Sequence, residues 1–248
     1  MSKPRIGFFD FTGCEGCELN QLNFENELLD MLEHVEIVEW REAMDEKADE
    51  LDIAFVEGSL STPSCIERIN AIRRKSKILV AVGACAVQGG INAVKNTRPI
   101  DEVREYVYGE QKYLFPTLPA LPLSAAVKVD FEVRGCPMTQ EEFLRLFTAL
   151  VMGKRPEVPD RAVCTECKLR ENECVYEKGM ICLGPVTRAG CSAQCPSFGQ
   201  YCTGCRGLVS EPNLAGMEEI LVQHGLSVEE ARKRLLLFNA NQLEGVSA

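Results

Sequence analysis

Between Cys164 and Cys205, eight cysteines fall within forty-two residues, at Cys164, Cys167, Cys174, Cys182, Cys191, Cys195, Cys202 and Cys205. Little else there can build a core, because the stretch is otherwise mostly Gly, Pro, charged and small polar residues. Burial alone cannot offset the ordering entropy of such a segment. A cross-link must hold it, and the choice is between disulfides and metal.

The rest of the chain bears on that choice. The start, Met1 to Arg5, runs straight into a strand-like segment, with no secretory h-region and no twin-arginine leader. No apolar run approaches the roughly twenty residues of a membrane span. A cytoplasmic location is therefore expected, where thiols stay reduced, so metal is the better reading of thirteen cysteines. Twelve of them divide into three sets of four, with Cys65 left over. The net charge of −10 argues against a nucleic-acid partner, which would need clustered Lys and Arg.

Short apolar runs alternate with helical patterns. Strands are expected near 3–11, 35–40, 51–56, 77–82 and 129–133. Helices are expected near 19–32, 63–75 and 141–152, the first with Leu19, Leu22, Leu28, Leu29 and Leu32 on one face. Tyr113 to Ala125, with three prolines, reads as an extended surface connection. This alternation predicts a flavodoxin-like, doubly wound parallel sheet over residues 1–153, followed by a small irregular cluster domain over 160–248. Gly153 to Asp160 is the expected linker. Two terminal helices, 214–223 and 228–238, and a loosely held tail over 239–248 complete the expectation.

In a doubly wound sheet, ligands sit beyond the carboxyl ends of the strands. Cys14 and Cys17, Cys85, and Cys136 each follow a predicted strand end, so the topology gathers them at one edge. Gly13, Gly16, Gly83 and Gly135 stand beside them and let backbone N–H groups approach a bulky anion. Both zinc and iron–sulfur clusters use four cysteines. Zinc sites usually draw on two local C-x2-C knuckles. Here one C-x2-C is completed by single cysteines from two other strands, which suits the wider cubane.

The motifs Gly13-Cys14-Glu15-Gly16-Cys17-Glu18, Val56-Glu57-Gly58-Ser59, Gly83-Ala84-Cys85-Ala86 with Gly89-Gly90, and Gly135-Cys136-Pro137 resemble the small, electron-transferring subunit of nickel–iron hydrogenases. So do Cys182-Leu183-Gly184-Pro185-Val186-Thr187 leading to Cys191, and Cys202-Thr203-Gly204-Cys205. The resemblance covers most of residues 4–206 and looks closest to the cytoplasmic group that couples hydrogen to soluble carriers. It implies three clusters. Cys14, Cys17, Cys85 and Cys136 match the ligands of the proximal [4Fe–4S] cluster. Cys191, Cys195, Cys202 and Cys205 match the medial set, and Cys164, Cys167, Cys174 and Cys182 the distal set, with interleaving of these two sets left open. Cys164 stands where periplasmic relatives have a histidine ligand. Cys195 stands near where many of them have a proline and a three-iron cluster. Three all-cysteine cubanes are therefore expected. The implied partners are a nickel–iron large subunit, which holds the active site, and a flavin or iron–sulfur acceptor subunit. The chain itself is implied to be the electron relay of a hydrogenase, an oxidoreductase, with no catalytic residue of its own.

Other residues carry two readings each. Cys65 reads as a helix-start residue and not a ligand. Glu15 and Glu18 could take part in proton movement, although Glu18 also suits the first turn of a helix, where a carboxylate favours the dipole. Arg134, Arg188 and Arg206 lie within three residues of predicted ligands. They either tune a cluster or form ordinary surface ion pairs. His34 and His224 read as solvated. Gly89-Gly90 lacks the remainder of any nucleotide-binding motif. Two rival functions stand beside the relay. One is a single-cluster subunit like that of respiratory complex I, disfavoured by the eight extra cysteines. The other is a zinc-stabilised interaction module.

Overall fold

The computed structural model describes residues 3–243. Five strands form one parallel sheet in the order β2-β1-β3-β4-β5. They are β1 (Arg5–Phe9), β2 (Glu36–Trp40), β3 (Leu51–Glu57), β4 (Ser76–Val82) and β5 (Phe131–Val133). This is the flavodoxin order, and its switch point lies between β1 and β3. The helices of the sheet half are α1 (Gly16–Leu22), α2 (Asn26–His34), α3 (Pro63–Lys75), α4 (Gly83–Gln88), α5 (Ile100–Tyr108) and α6 (Gln140–Val151). The cysteine-rich half adds α7 (Val163–Leu169), α8 (Gln194–Ser197), α9 (Leu214–Gln223) and α10 (Val228–Asn239).

Successive strand side chains point to opposite faces, and both faces are covered. Ile6, Phe8, Ile53, Phe55, Val80 and Val82 pack on one side with Phe24, Met31, Phe143 and Phe147 from the helices. Phe9, Ala54, Val56, Leu79 and Ala81 pack on the other with Ile69 and Ile72 of α3. The first face is aromatic. Phe8 stacks on Trp40 with ring centroids 4.1 Å apart, and Phe55 lies 5.0 Å from Phe143. Helix α3 has a sharp start: Pro63 opens it, and the Thr62 hydroxyl accepts from the Cys65 N–H.

Three expectations need correction. The helix expected over 19–32 is two helices, broken at Asn23–Glu25, where Glu25 takes φ 49°. The break drives Phe24 into the core beside Phe143. As a result Leu19, Leu29 and Leu32 are exposed, and Phe24 and Met31 provide the buried contacts. Next, the connection around 113–125 is not a plain surface excursion. It follows helix α5, ends in a short 3-10 turn, buries Ala120 and Leu123, and pairs Leu121 with Leu60 through the backbone. The last correction concerns the tail. Its residues 239–243 are held, since Asn241 donates to the Gln88 and Ala120 carbonyls, and Gln242 accepts from the Leu208 N–H. Residues 244–248 lie outside the described residues.

The core of the cysteine-rich half comes in two parts. Leu183, Val186 and Leu208 pack against Met217, Leu221 and Leu235 of the terminal helices. Val163, Val175 and Ala193 pack with Cys182 and Cys202. Cysteines are thus part of what little core this segment has.

Candidate metal centres

All thirteen cysteines are free thiols. The first group forms where β1, β3, β4 and β5 end. Thr12 and Ser59 exchange backbone hydrogen bonds, which holds the loop after β1 against the turn after β3. That contact leaves no room at Gly58, where a Cβ would run into the Phe11 backbone. Beyond it, Cys14, Cys17, Cys85 and Cys136 line one cavity of about 80 Å³. Gly83 is needed at the same place, because its φ is +82° and a Cβ would collide with the Cys17 sulfur. A Cβ at Gly90 would sit 2.9 Å from the Cys85 sulfur. That is what this glycine pair does: it makes room at the sulfur and caps α4.

Burial pushes the Cys85 thiol up to about 12, helped by Cys136 and Cys14. Cys17 and Cys136 are raised by the same desolvation. Thiols that resist ionisation, as Cys17, Cys85 and Cys136 do, become favourable ligands only beside a compensating positive charge.

In the second half, the structure brings Cys164, Cys167, Cys174 and Cys182 together: burial and the other three cysteines raise the Cys164 thiol to about 11. Cys164 and Cys167 lie three apart in α7 and share a helix face. The Cys182 sulfur accepts from the Gly184 and Cys202 N–H groups, both at 3.4 Å. A second neighbourhood holds Cys191, Cys195 and Cys205, and the buried Cys202 stands between Cys205 and Cys182. Cys195 feels Cys191, while Cys205, pushed up to about 12 by burial, feels both. Glu166 shapes this loop by accepting from the Gly190 and Ala193 N–H groups at 2.9 and 3.2 Å, where Ser192 and Ala193 adopt positive φ. Among the described residues, no three His, Cys, Asp or Glu side chains are drawn tightly enough to grip a single ion.

The neighbourhoods touch in a line. Arg134 Nη1 donates to the Arg206 carbonyl at 3.2 Å and Arg206 Nη1 donates to the Arg134 carbonyl, joining the loop of Cys136 to the one around Cys205. The Cys202–Cys182 hydrogen bond joins that one to the last.

Other candidate residues fall as follows. Cys65 sits apart in the first turn of α3, its sulfur 3.1 Å from the Thr62 hydroxyl. Glu15 is the left-handed residue before α1. Glu18 is not a solvated first-turn carboxylate: it is buried, and burial together with Glu57 pushes it up to about 8. Neither of its oxygens closes a hydrogen bond, and the neighbouring Trp40 indole N–H is also unpaired. Arg134 and Arg206 are not surface ion pairs, their side chains being 11% and 1% exposed, whereas Arg188 pairs at 2.6 Å with Asp160, a carboxylate 41% exposed. His34 and His224 are exposed, the latter resting on Tyr176. Sequence reasoning passed over Glu142 and Glu166. Nothing local marks either one, since their partners lie 64 and 24 to 27 positions away.

Residues 14–150 match the family described as NADH ubiquinone oxidoreductase, 20 kDa subunit. Sulfhydrogenase 2 subunit delta of Pyrococcus furiosus is 41% identical over 232 residues, covering 92% of this chain and 97% of that protein. A subunit of the F420-non-reducing hydrogenase vhu of Methanocaldococcus jannaschii is 33% identical over 225 residues, covering 78% of each. A crystal structure of an NAD+-reducing NiFe-hydrogenase in the H2-reduced state contains a chain that superposes with a TM-score of 0.57 at 32% identity, covering 63% of this chain and 96% of that one. A family match over more than half the chain, and a relative aligned through both cysteine-bearing halves, lead to one conclusion: the chain belongs to this oxidoreductase family, among the small, iron–sulfur subunits of hydrogenases.

Proposed function

We propose that this subunit carries three [4Fe–4S] clusters and relays single electrons through them between a nickel–iron large subunit and a flavin or iron–sulfur acceptor subunit. Cys14, Cys17, Cys85 and Cys136 hold the proximal cluster. Cys191, Cys195, Cys202 and Cys205 hold the medial one, and Cys164, Cys167, Cys174 and Cys182 the distal one. What supports this reading is the run of contacts between cysteine-bearing loops: Arg206, beside Cys205, donates to the Arg134 carbonyl two residues before Cys136, and the Cys202 N–H donates to the Cys182 sulfur. Each cluster, when bound, takes up and releases one electron at a time. The chain supplies spacing, dryness and amide hydrogen bonds at the sulfurs.

The two functional halves are residues 1–153, holding the proximal site, and 160–248, holding the others, with 153–160 as linker. Leu19 is half exposed just after Cys17, and Leu29 is 63% exposed on α2. Apolar side chains left bare beside the proximal edge suit the cover of a large subunit. No described helix is long and apolar enough to cross a membrane. The proposed place of work is the cytoplasm, where so many thiols stay reduced and open to iron. Four thiolates at every cluster, with no histidine among them, favour low potentials that match soluble carriers.

The test is the visible spectrum and metal content of anaerobically purified protein. Brown protein with about twelve iron and twelve acid-labile sulfide per chain is expected from three cubanes. About four iron points instead to a single-cluster subunit of the complex I kind, and colourless protein with zinc to a structural module. A substantial native three-iron EPR signal counts against the all-cubane assignment.

A further inference from the structure

Arg206 is the residue directly after Cys205, and its side chain is 1% exposed. Its two terminal nitrogens meet the Glu142 carboxylate at 2.6 Å each, a bidentate pair. Two further donors reach three carbonyls: Nη1 to Arg134 at 2.5 Å, and Nε, shared, to Arg188 and Ala189 at 3.1 and 2.9 Å. Arg134 stands two residues before Cys136, and Ala189 two before Cys191. One guanidinium therefore ties together the loops that carry Cys136, Cys191 and Cys205, and anchors them on α6. The neighbouring glycine makes room for it. A Cβ at Gly190 would collide with Arg206 Nη2 and lie 2.8 Å from a Glu142 oxygen.

A buried ion pair is a weak stability device, because desolvating two charges offsets most of their attraction. The pair does have a special location. It stands between two of the cysteine neighbourhoods, near enough to Cys191 and Cys205 for their charges to act on it. As a pair it is nearly neutral. Removal of either partner leaves one uncompensated charge in a medium of low dielectric constant.

We propose that Arg206 and Glu142 are positioning residues that hold the proximal and medial cysteine loops in register and together set the reduction potential of the medial group. This rests on the three-cluster reading. Reduction adds negative charge, so a bare cation beside the group makes reduction easier and a bare carboxylate makes it harder.

The experiment is an EPR-monitored redox titration of the intact hydrogenase complex carrying Glu142→Gln, Arg206→Gln or Arg206→Lys, with iron counted in each. Glu142→Gln is expected to raise the midpoint potential of one cluster and Arg206→Gln to lower the same one, with the remaining midpoints and the iron content unchanged. Arg206→Lys keeps the charge and should lie near wild type. If Arg206→Gln loses iron, Arg206→Lys and Glu142→Gln carry the test. Shifts of the same sign, no shift, or loss of iron from both Arg206→Lys and Glu142→Gln overturn the proposal that the pair sets the medial potential. A wild-type complex whose small subunit holds about four iron, or zinc, sinks the three-cluster reading instead, so the two failures are distinct.

Discussion

The Cys202 backbone N–H donates to the Cys182 sulfur across 3.4 Å. These residues are twenty positions apart, and the proposed reading assigns them to different clusters. On the proposed reading, the last two clusters of the relay are joined through one amide and its sulfur. A hydrogen bond of this kind also disperses charge on the thiolate, which raises the potential of the group it serves.

Gly83→Ala should empty the proximal site. The position has φ +82° and faces the Cys17 sulfur, so an alanine meets both backbone strain of about 1 to 3 kcal/mol and a direct clash. The expected result is loss of about four iron per chain, with the signals of the other clusters intact. Iron analysis and EPR on the same sample check it.

Cys85 and Cys65 should behave differently. Cys85→Ser is expected to remove about four iron, because it takes a ligand from a dry cavity. Cys65→Ser should leave the iron content unchanged, since its sulfur is held by the Thr62 hydroxyl at 3.1 Å and the side chain packs against the core beside α3. Iron loss in the Cys65 variant would return this residue to the ligand set.

Thr62→Ala should lower stability by about 1 kcal/mol through loss of the α3 cap, in which Thr62 accepts from the Cys65 N–H. Thr62→Ser should restore it. Urea midpoints of the cluster-loaded protein compare the three, and cluster content should not change.

Asp10 offers a pH test. Burial raises its carboxyl, but Arg68 and then Arg41 outweigh that and hold it below the usual range. A depressed folded value means the carboxylate stabilises the fold above the unfolded value of about 3.9, and this contribution fades as pH falls through the folded value. Asp10→Asn should therefore cost about 1 to 2 kcal/mol at pH 7, discounted because Arg68 and Arg41 are 41% and 65% exposed. The gap between variant and wild type should close below about pH 4. Urea denaturation of variant and wild type, compared at each pH across this range, measures it.

Much was legible in the chain because the governing interactions are local. Helix α3 could be read from Pro63 to Lys75 because its start signal and its basic last turn are written within thirteen residues. The terminal helix α9 was equally plain. By contrast, the leucines at 19, 29 and 32 gave a false helical face. The local period could not show that Phe24 has a better place against Phe143, more than a hundred residues on. Nor could it show that Glu18, spaced like a dipole partner, is shut away from water.

Cysteine spacing and the alternation of strand and helix were sufficient, without coordinates, to establish a doubly wound sheet and a segment that needs inorganic cross-links. Both signals repeat along the chain and depend on covalent neighbours. Only the tertiary structure decided that the Arg134 and Arg206 loops bond each other, that the Cys202 N–H meets the Cys182 sulfur, and that a guanidinium and a carboxylate 64 positions apart bind each other in the interior. Such contacts arise from packing two halves of a chain together. No single stretch of residues encodes them, because each partner is ordinary until burial removes the water that would otherwise satisfy it.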